Sequence, residues 1–537
     1  MNRISSDINL IQDHYEVIVI GSGYGGGISA SRLARAGRKV CLLERGKEIL
    51  PGDFPDTELE AAQELQLDTC KGKIGSPTGL YNIHVNNEQN VVVGCGLGGT
   101  SLINANVSLE PKPDVFDDTR WPDEVRAHKE TLLKAGFARA REMLKPNPYP
   151  QTHPTLKKLE AHEKSAKFMG QAENFYRTPI NVNFDELEGG VNHVGVPQNP
   201  CNNCGDCVSG CNYKAKNTTL MNYLPDAHNH GTEIFCETSV KHLEKTADGW
   251  LVHYQPLGKG RDKFDAPTQF IKADMVIVSA GTLGSTEIML RSRENGLAVS
   301  NQLGNHFSGN GDILGFGYNN DEPINAIGFG ELKPGEIEPV GPCITSVIDM
   351  RYGDDWSDRM IIEEGTTPGA LGKLLPGAMA LAAAAVGRDT DSGFMDGIKE
   401  KAREVESFIK GPYSGAIQNS QIYLIMSHDD SAGVMALEDD KLRINWPGVG
   451  KQSNFIKGNE HLYQATKALG GEYVENPIWT KLMNNSLVTV HPLGGCVIGK
   501  DAEQGVTNHK GQVFSGSSGT DVYQNLYVAD GAIIPSS

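Results

Sequence analysis

The sequence predicts an α/β fold that contains a dinucleotide-binding domain of the Rossmann type. Two observations carry this prediction. A glycine-rich motif directly follows an apolar, strand-like run near the N-terminus, and β-rich runs that end in small residues recur far along the chain. With 537 residues the chain is long enough for more than one domain, because single domains usually hold about 100–200 residues. We therefore expect a nucleotide-binding domain with a second domain beside it.

The first element is a strand over residues 15–20, which are apolar and largely β-branched. Gly21, Gly23 and Gly26 follow as G-x-G-x-x-G, and residues 28–36 have helical composition. In such a turn the first glycine permits the tight bend, the second lets the backbone approach a pyrophosphate, and the third lets the helix pack on the strand. The N–H groups and the dipole at the start of the helix attract the pyrophosphate. These residues predict a dinucleotide site.

The second strand, over residues 39–43, ends at Glu44, which stands 23 residues after Gly21. A carboxylate at this place accepts hydrogen bonds from the ribose hydroxyls of an adenosine. A glycine motif alone is often an ordinary turn, but strand, glycines, helix, strand and acid in this order form a specific signal. Glu44 is therefore a predicted cofactor-binding residue.

Three later segments extend the nucleotide site. Residues 90–107 and 274–281 are strand-like runs that lead into small residues, and residues 525–531 form a short strand ending at Asp530. Small residues would let the backbone lie against a flat, bulky cofactor; a tight turn in the core is the other interpretation. Several distant segments that converge on one nucleotide fit FAD better than NAD, because FAD enzymes commonly bury the whole cofactor. The sequence thus predicts FAD.

The composition excludes some classes of partner and site. Its 67 acidic and 49 basic residues give a net charge of −18, which repels phosphate, so we expect no nucleic-acid partner. The N-terminus lacks the apolar run of a secretory signal, so we expect a cytoplasmic protein. Its ten cysteines are then thiols or metal ligands rather than a disulfide framework.

The most apolar run, residues 374–386, is too short to span a bilayer and contains Pro376. A buried helix is the first interpretation of this run. A helix lying at a membrane interface is the alternative, because water-insoluble substrates have to be collected from somewhere. We therefore expect at most peripheral contact with a membrane.

Four motifs resemble those of one oxidoreductase family. They are GSGYGGG with Glu44, GCGLGGTSLINA at 94–105, HPLGGC at 491–496 and NLYVADGAIIP at 525–535. The sequence is similar in these motifs to the glucose–methanol–choline (GMC) oxidoreductases. Within that family, SLINANVSLEP, GPCITSVIDM and HPLGGCVIG are most similar to the cholesterol oxidase branch. The likeness extends over about residues 15–535.

This resemblance implies FAD, held covalently or not, and oxidation of a small hydrophobic alcohol. It also implies a discontinuous α+β substrate domain built on a mostly antiparallel sheet, beside the α/β FAD-binding domain. The predicted cofactor-binding residues, from the glycine loop and by motif match, are Gly21, Gly23, Tyr24, Gly25, Gly26, Glu44, Gly99, Asn104, Val107, Val240, Gly281, Asp530 and Gly531.

His491 is the predicted catalytic residue. Hydride removal from an alcohol requires the hydroxyl proton to leave, and a histidine with a pKa near neutrality is suited to accept it. One histidine among 15 is more often structural than catalytic. His491 opens HPLGGC, however, and the two glycines of that motif would let the backbone lie close to the flavin. We therefore favour the catalytic interpretation.

Two departures from the family weaken a direct transfer of function. In the family, the stretch matching DGAIIP is followed by a Gly-x-Asn-Pro segment that supplies a second polar active-site residue, and the sequence reaches Ser537 before it. We expect a truncated chain, a partner that completes the site, or another function. Cholesterol oxidases also isomerise a steroid double bond with a glutamate. Gly372 takes that place here, and Glu363 and Glu364 are interpreted as structural, so we expect no isomerase activity.

One feature is an addition to the family pattern. Cys201, Cys204, Cys207 and Cys211 have the spacing of ferredoxin iron–sulfur ligands, C-x2-C-x2-C-x3-C, without the proline that usually follows. A four-iron cluster, a three-iron cluster, a zinc site and a disulfide loop are the alternatives, the last disfavoured inside a cell. With a cluster, the enzyme would pass electrons to an acceptor protein.

These anchors divide the chain into two predicted domains. The FAD-binding domain is expected at residues 1–310 and 488–537 and includes the cysteine-rich loop 201–211. The substrate domain is expected at 311–487, with a helical lid at 369–410.

Two functions follow from the sequence. The first is an FAD-dependent oxidoreductase that oxidises a hydroxyl group of a sterol-like alcohol by hydride transfer to flavin. The alternative is a non-redox protein on the same fold, acting as a hydrolase, lyase or scaffold, because fold does not fix function.

Overall fold

The computed structural model describes residues 1–258, 267–390, 394–480 and 483–536. In chain order, the strands there are β1 (His14–Ile20), β2 (Val40–Leu43), β3 (Leu65–Thr69), β4 (Gly72–Gly75), β5 (Tyr81–His84), β6 (Gln89–Gly94), β7 (Asn147–Pro148), β8 (Phe175–Arg177), β9 (Pro179–Ile180), β10 (Glu233–Phe235), β11 (Thr238–Thr246), β12 (Gly249–Pro256), β13 (Gln269–Val278), β14 (Ile313–Tyr318), β15 (Ser346–Met350), β16 (Met360–Gly365), β17 (Gly387–Asp389), β18 (Gln421–Ser427), β19 (Val434–Glu438), β20 (Lys441–Asn445), β21 (Glu472–Glu475), β22 (Leu487–Thr489), β23 (Gln512–Phe514) and β24 (Val522–Val528).

The α-helices of the same residues are α1 (Tyr24–Arg35), α2 (Glu58–Gln63), α3 (Asp123–Ala127), α4 (Lys134–Leu144), α5 (Lys157–Phe168), α6 (Tyr223–Asn229), α7 (Gly281–Glu294), α8 (Leu375–Val386), α9 (Phe394–Lys410), α10 (Gly415–Gln418) and α11 (Ser453–Lys467).

A parallel sheet positions the predicted nucleotide site. Its strands lie in the order β10-β2-β1-β13-β24, and each is parallel to its neighbour. All four residues of β2 and the last four of β1 are buried, as expected where helices cover both faces of a parallel sheet. Ligands of such sheets bind at the carboxyl ends of the strands. β24 brings the C-terminal part of the chain to that edge.

The parallel sheet continues into antiparallel strands on one side. β12 pairs with the first half of β13, and β11 pairs with β12. β23 pairs with β24, also antiparallel. A separate sheet has the order β22-β6-β5-β3-β4 and connects residues 487–489 to β6.

The second large sheet is antiparallel throughout, as predicted. Its order is β17-β21-β14-β18-β16-β15-β8. Helices α5 and α11 pack against it; Ser165 on α5, for example, donates a hydrogen bond to the Ala465 carbonyl on α11 and lies 3.3 Å from the Tyr423 hydroxyl on β18. β8, from the segment 1–310, forms one edge of this sheet. The exact domain limits stay a prediction.

The segment 369–410 contains two α-helices, α8 and α9; α8 contacts β21, and both helices contact α10. Residues 391–393 of the predicted lid lie outside the described residues. Whether these helices act as a lid stays a prediction.

Candidate active site

The glycine loop after β1 is packed against protein on one side and open on the other. Gly21 has a φ of +93°, in the left-handed region that favours glycine. A Cβ at Gly25 would lie 1.7 Å from the Ala529 carbonyl oxygen, and a Cβ at Gly26 would lie 1.9 Å from the Gly21 oxygen. A Cβ at Gly23, the N-cap of α1, would meet no atom within 4 Å. The loop therefore leaves space for a pyrophosphate at Gly23 and at the start of α1, which fits a bound dinucleotide.

Glu44 lies at the end of β2 beside this loop. Its carboxylate accepts hydrogen bonds from the Ser22 hydroxyl (2.6 Å) and N–H (3.1 Å), and from the Gly46 N–H (2.8 Å). The Ser22 hydroxyl also accepts from the Gly98 N–H at 2.9 Å. Next in the chain, Gly99 packs so closely that a Cβ there would lie 2.8 Å from the Gly23 Cα. Ser22, which the sequence analysis missed, thus joins three predicted cofactor segments.

Asp530 lies beyond the end of β24 and is hydrogen-bonded to residues at the start of α7. It accepts hydrogen bonds from the Gly281 N–H (2.9 Å) and the Ser285 hydroxyl (2.5 Å). Burial raises the pKa of the Asp530 carboxyl, while these hydrogen bonds act in the opposite direction. Gly531 is in contact with the Thr282 hydroxyl and the loop at 492–493. The structure therefore brings Gly281, Asp530 and Gly531 together.

The loop after Gly99 carries two asparagines, of which Asn104 is half-buried and Asn106 is buried. The Asn104 amide donates to the Tyr24 hydroxyl at 2.9 Å, and burial raises the pKa of that phenol. Asn106 has a φ of 76°, and both polar atoms of its buried side chain lack a partner among the described residues. A buried amide left unpaired costs about 1–3 kcal/mol. Asn106 therefore indicates a polar group of a ligand at this place, which also fits a dinucleotide cofactor.

Two predicted residues turn their side chains into apolar clusters. Val107 packs beside Cys207 and Cys343, and Val240 belongs to the main core. Val240 follows Thr238, whose N–H donates to the Glu44 carbonyl at 2.8 Å. Any cofactor contact of these two valines would have to come from the main chain.

His491 forms a pair with a buried carboxylate. Its Nδ1 lies 2.9 Å from Asp312 Oδ1 and 3.0 Å from Oδ2. Asp312, just before β14, also accepts from the Thr489 hydroxyl (2.8 Å) and the Val490 N–H (2.9 Å). Burial lowers the pKa of His491, but the charge of Asp312 and its hydrogen bond, together with Glu363, raise it above the ordinary value. The sequence analysis missed Asp312.

The neighbouring acids of β16 have different roles, because successive side chains of a strand point to opposite faces. Glu364 is an ion-pair partner of the fully buried Lys158, with Nζ and Oε2 2.6 Å apart. Glu363 is equally buried, and its Oε1 lacks a partner among the described residues. Burial raises the pKa of Glu363 to about 8, although the charge of His491 lowers it. Glu364 is thus paired with a lysine and Glu363 is not, and the structural interpretation of both acids stays a prediction.

The expectation of no isomerase activity, which depended also on Gly372, stays a prediction. The Glu363 carboxyl lies near His491 with one oxygen unpaired. A carboxyl of raised pKa in such a place is suited to proton transfer.

The glycines of HPLGGC pack closely against other parts of the protein. A Cβ at Gly494 would lie 1.9 Å from the His306 carbonyl oxygen, and a Cβ at Gly495 would lie 2.3 Å from the Thr286 hydroxyl. The motif nevertheless reaches the nucleotide side, since the Gly494 N–H donates to the Gly531 carbonyl at 3.0 Å. His491 thus lies at the junction of the parallel edge and the antiparallel sheet.

The cysteine loop does not form a ligand cage. The described residues include no group of three or more His, Cys, Asp or Glu side chains placed to hold a metal ion, and their ten cysteines are all free thiols. Cys207 Sγ accepts the Cys343 N–H at 3.4 Å, and Cys201 Sγ accepts the Asn203 N–H at 3.4 Å. Burial raises the pKa of Cys201 and Cys204, and that of Cys207 to about 11. Cys211 likewise belongs to no group of potential metal ligands among the described residues. The arrangement of the four thiols therefore does not fit an iron–sulfur or zinc site.

Sequence signals for the missed residues were weak. Ser22 lies inside the glycine motif, Asp312 stands alone in a glycine-containing stretch, and Glu363 is one of two adjacent acids in an apolar strand. Each lies in the site because of contacts with residues that are distant in the sequence.

Known proteins resemble the chain over nearly its whole length. It is 28% identical to a cholesterol oxidase of Mycobacterium tuberculosis (strain CDC 1551 / Oshkosh), over 97% of this chain and 87% of the relative. It is 26% identical to a cholesterol oxidase of Acinetobacter baumannii, over 97% and 90%. A long-chain-alcohol oxidase of Arabidopsis thaliana is 23% identical, over 99% of this chain and 66% of the relative.

A solved structure has the same fold. The pyridoxine 4-oxidase from Mesorbium loti superposes with a TM-score of 0.57 at 14% identity, over 97% of this chain and 95% of that chain. Family models for the N- and C-terminal parts of the GMC oxidoreductases match residues 16–308 and 449–537. Because these models match more than half of its residues, the chain belongs to the GMC oxidoreductase family.

Proposed function

We propose that the protein is an FAD-dependent enzyme that oxidises the hydroxyl group of a hydrophobic, sterol-like alcohol. One observation carries this proposal. The His491–Asp312 pair lies where the HPLGGC motif joins Gly531, next to the edge at which the nucleotide-binding segments converge. A proton acceptor is thus placed beside the predicted cofactor site.

In this proposal, a residue of the chain accepts the proton of the alcohol hydroxyl. With Nδ1 donating to Asp312, the lone pair of His491 Nε2 is available to accept the hydroxyl proton. Asp312 also stabilises the imidazolium that results, as the raised pKa of His491 indicates. When bound, FAD supplies the hydride acceptor of this chemistry. Gly23, Glu44, Asn106 and Asp530 are the residues that would hold it.

The substrate class is inferred from relatives. Proteins similar to the chain include cholesterol oxidases and long-chain-alcohol oxidases, both named for hydrophobic alcohols. Glu363 is a candidate for a second proton-transfer group near His491, because its unpaired oxygen is buried and its pKa is raised. The proposal includes no iron–sulfur step, because the cysteine loop does not fit a cluster.

The test is anaerobic reduction of the flavin in the purified holoenzyme. We expect cholesterol in detergent micelles to bleach the flavin absorbance, because its hydroxyl can lose a hydride. Cholesteryl methyl ether is the matched control, since it keeps the sterol body and blocks the hydroxyl. Unchanged absorbance with cholesterol and with a long-chain primary alcohol would favour the non-redox alternative instead.

A further inference from the structure

The outward face of α9 has an unusual composition. Among residues 397–410, the exposed side chains are Ile398, Lys399, Lys401, Ala402, Val405, Phe408, Ile409 and Lys410. Ile409 exposes 78% of its surface and Phe408 exposes 60%. Within these same residues Glu400 and Glu404 are partly buried, and the Glu406 side chain, 40% exposed, pairs with Lys410 at 2.8 Å. The water-facing side is therefore mainly apolar, with Lys399 and Lys401 as basic residues.

The inward face of α9 is polar. Arg403 donates to the Asn319 side chain at 2.6 Å, and the Ser407 hydroxyl accepts the Ile417 N–H at 3.1 Å. A surface helix of a water-soluble domain normally shows the reverse arrangement, with its apolar stripe on the core. The orientation of α9 therefore requires a partner for its apolar side.

Helix α8 presents a matching surface. Leu374, Ala378, Leu381 and Ala385 follow the spacing of one helix face, and all four are exposed; Leu381 exposes 75% of its surface. Its other face packs in an apolar cluster that includes Ile417. Because α9 also contacts Ile417 and packs beside α8, the two outward sides adjoin. We call this surface, formed by Leu374, Ala378, Leu381, Ala385 and the exposed residues of α9, the α8–α9 face.

The packing of α8 indicates a segment that lies on a bilayer rather than crossing it. Within the described residues, one helical stretch, Gly369–Val386, is long and apolar enough by length and composition to cross a membrane, and 33% of it is buried in the protein. Met379, Ala382 and Ala383 of this stretch are buried in the cluster that includes Ile417, so crossing a bilayer would require this part of the helix to leave the protein.

We propose that the α8–α9 face docks on the surface of an anionic lipid bilayer. The lysines would contact lipid headgroups while the leucine, isoleucine and phenylalanine side chains enter the acyl boundary, as in interfacial amphipathic helices. The net charge of −18 opposes approach to an anionic surface, so docking depends on the exposed apolar side chains of this face together with Lys399 and Lys401. The inference rests on the surface alone and does not depend on the proposed substrate.

Vesicle flotation of the holoenzyme tests the apolar part. We expect the protein to float with vesicles of equal parts phosphatidylcholine and phosphatidylserine. The double variant Leu381→Asp/Ile409→Asp should bind at least about tenfold more weakly, because two exposed apolar anchors become charged. Leu132→Asp is the matched control, since Leu132 is 66% exposed on another surface and its change should leave binding intact. Flavin content verifies that each variant is folded.

The lysines are tested in the same assay. Lys399→Gln/Lys401→Gln should weaken binding to these vesicles by roughly fivefold for each lysine removed, and should leave any binding to pure phosphatidylcholine unchanged. Failure of the parent protein to float would overturn the proposal, as would equal flotation of the double aspartate variant. A parent dimer that this variant converts to monomer, without vesicle binding, would assign the face to a second copy of the chain and overturn docking on lipid.

Discussion

His491 is oriented by a hydrogen bond to Asp312. The two form a hydrogen-bonded pair in which the carboxylate is almost fully buried and the imidazole is partly accessible. We expect His491→Ala to keep its flavin and to slow anaerobic flavin reduction by cholesterol by about 10²–10⁴-fold, because the proton loses its acceptor. Stopped-flow absorbance measures this rate.

The control for this variant is a second histidine–aspartate pair. His14 Nε2 lies 2.9 Å from Asp274 Oδ1 on the surface of the parallel sheet. His14→Ala should reduce its flavin at the parental rate. If His491→Ala did so as well, the histidine would be structural.

Glu363 predicts a pH dependence whose sign follows from its buried carboxyl. Its pKa is raised from 4.5 to about 8, so folding takes up a proton, and the free energy of unfolding should fall as pH rises from about 4.5 to about 8. Glu363→Gln should reduce this slope in denaturant titrations. It should also lower the pKa of His491, because one of the groups that raise it is gone. The pH profile of flavin reduction would then shift to lower pH; an unshifted profile would place Glu363 outside the reaction.

At the scale of elements, the cysteine loop 201–211 connects to the segments after β14 and β16 through backbone contacts and one carboxylate. Asp206 accepts the Gly369 N–H at 2.8 Å and the Gly330 N–H at 3.0 Å. The Cys204 carbonyl accepts the Phe329 N–H at 2.8 Å. The loop thus stabilises the structure without a metal-binding arrangement of its thiols.

We expect Asp206→Asn to lower the free energy of unfolding by about 1–3 kcal/mol, because an amide has one acceptor oxygen for two N–H donors. Burial raises the pKa of Asp206 to about 6, so the measurement belongs at a pH above that value, where the carboxylate is ionised. The exposed Asp185 provides the control, and Asp185→Asn should be nearly neutral. A neutral Asp206→Asn would show that the loop is held by other contacts.

At the scale of the whole molecule, the predicted cofactor site joins segments from Gly21 to Gly531. Removal of FAD should therefore lower the thermal unfolding midpoint, and added FAD should restore it. A ligand at 100 times its dissociation constant stabilises by about 2.7 kcal/mol. The unfolding midpoint of Gly23→Val should equal that of the apoprotein and should not rise when FAD is added. The reason is that a Cβ at this position meets no protein atom and lies in the open space of the loop.

Gly136→Val is the matched control, because a Cβ at Gly136 in α4 also meets no atom within 4 Å. This variant should keep its flavin. Gly23→Val protein that retained stoichiometric flavin would contradict the proposed pyrophosphate position.

The sequence by itself determined the α/β class, the glycine loop with Glu44, and the antiparallel character implied for the second sheet. Such features are encoded locally, because strand length, turn glycines and the following helix are read from adjacent residues. The order of motifs along the chain also indicated that residues near 280 and 530 converge, and β13 and β24 do pair there.

Only the tertiary structure decided which polar groups surround His491. Asp312 directly precedes β14 and Glu363 lies on β16, and strand pairing between distant segments leaves no spacing signal in the sequence. The same holds for the four cysteines, whose ferredoxin-like spacing is local while the positions of their thiols depend on the packing of the loop. Spacing along a chain specifies local turns; the distance between side chains is set by the packing of the sheets and loops that carry them.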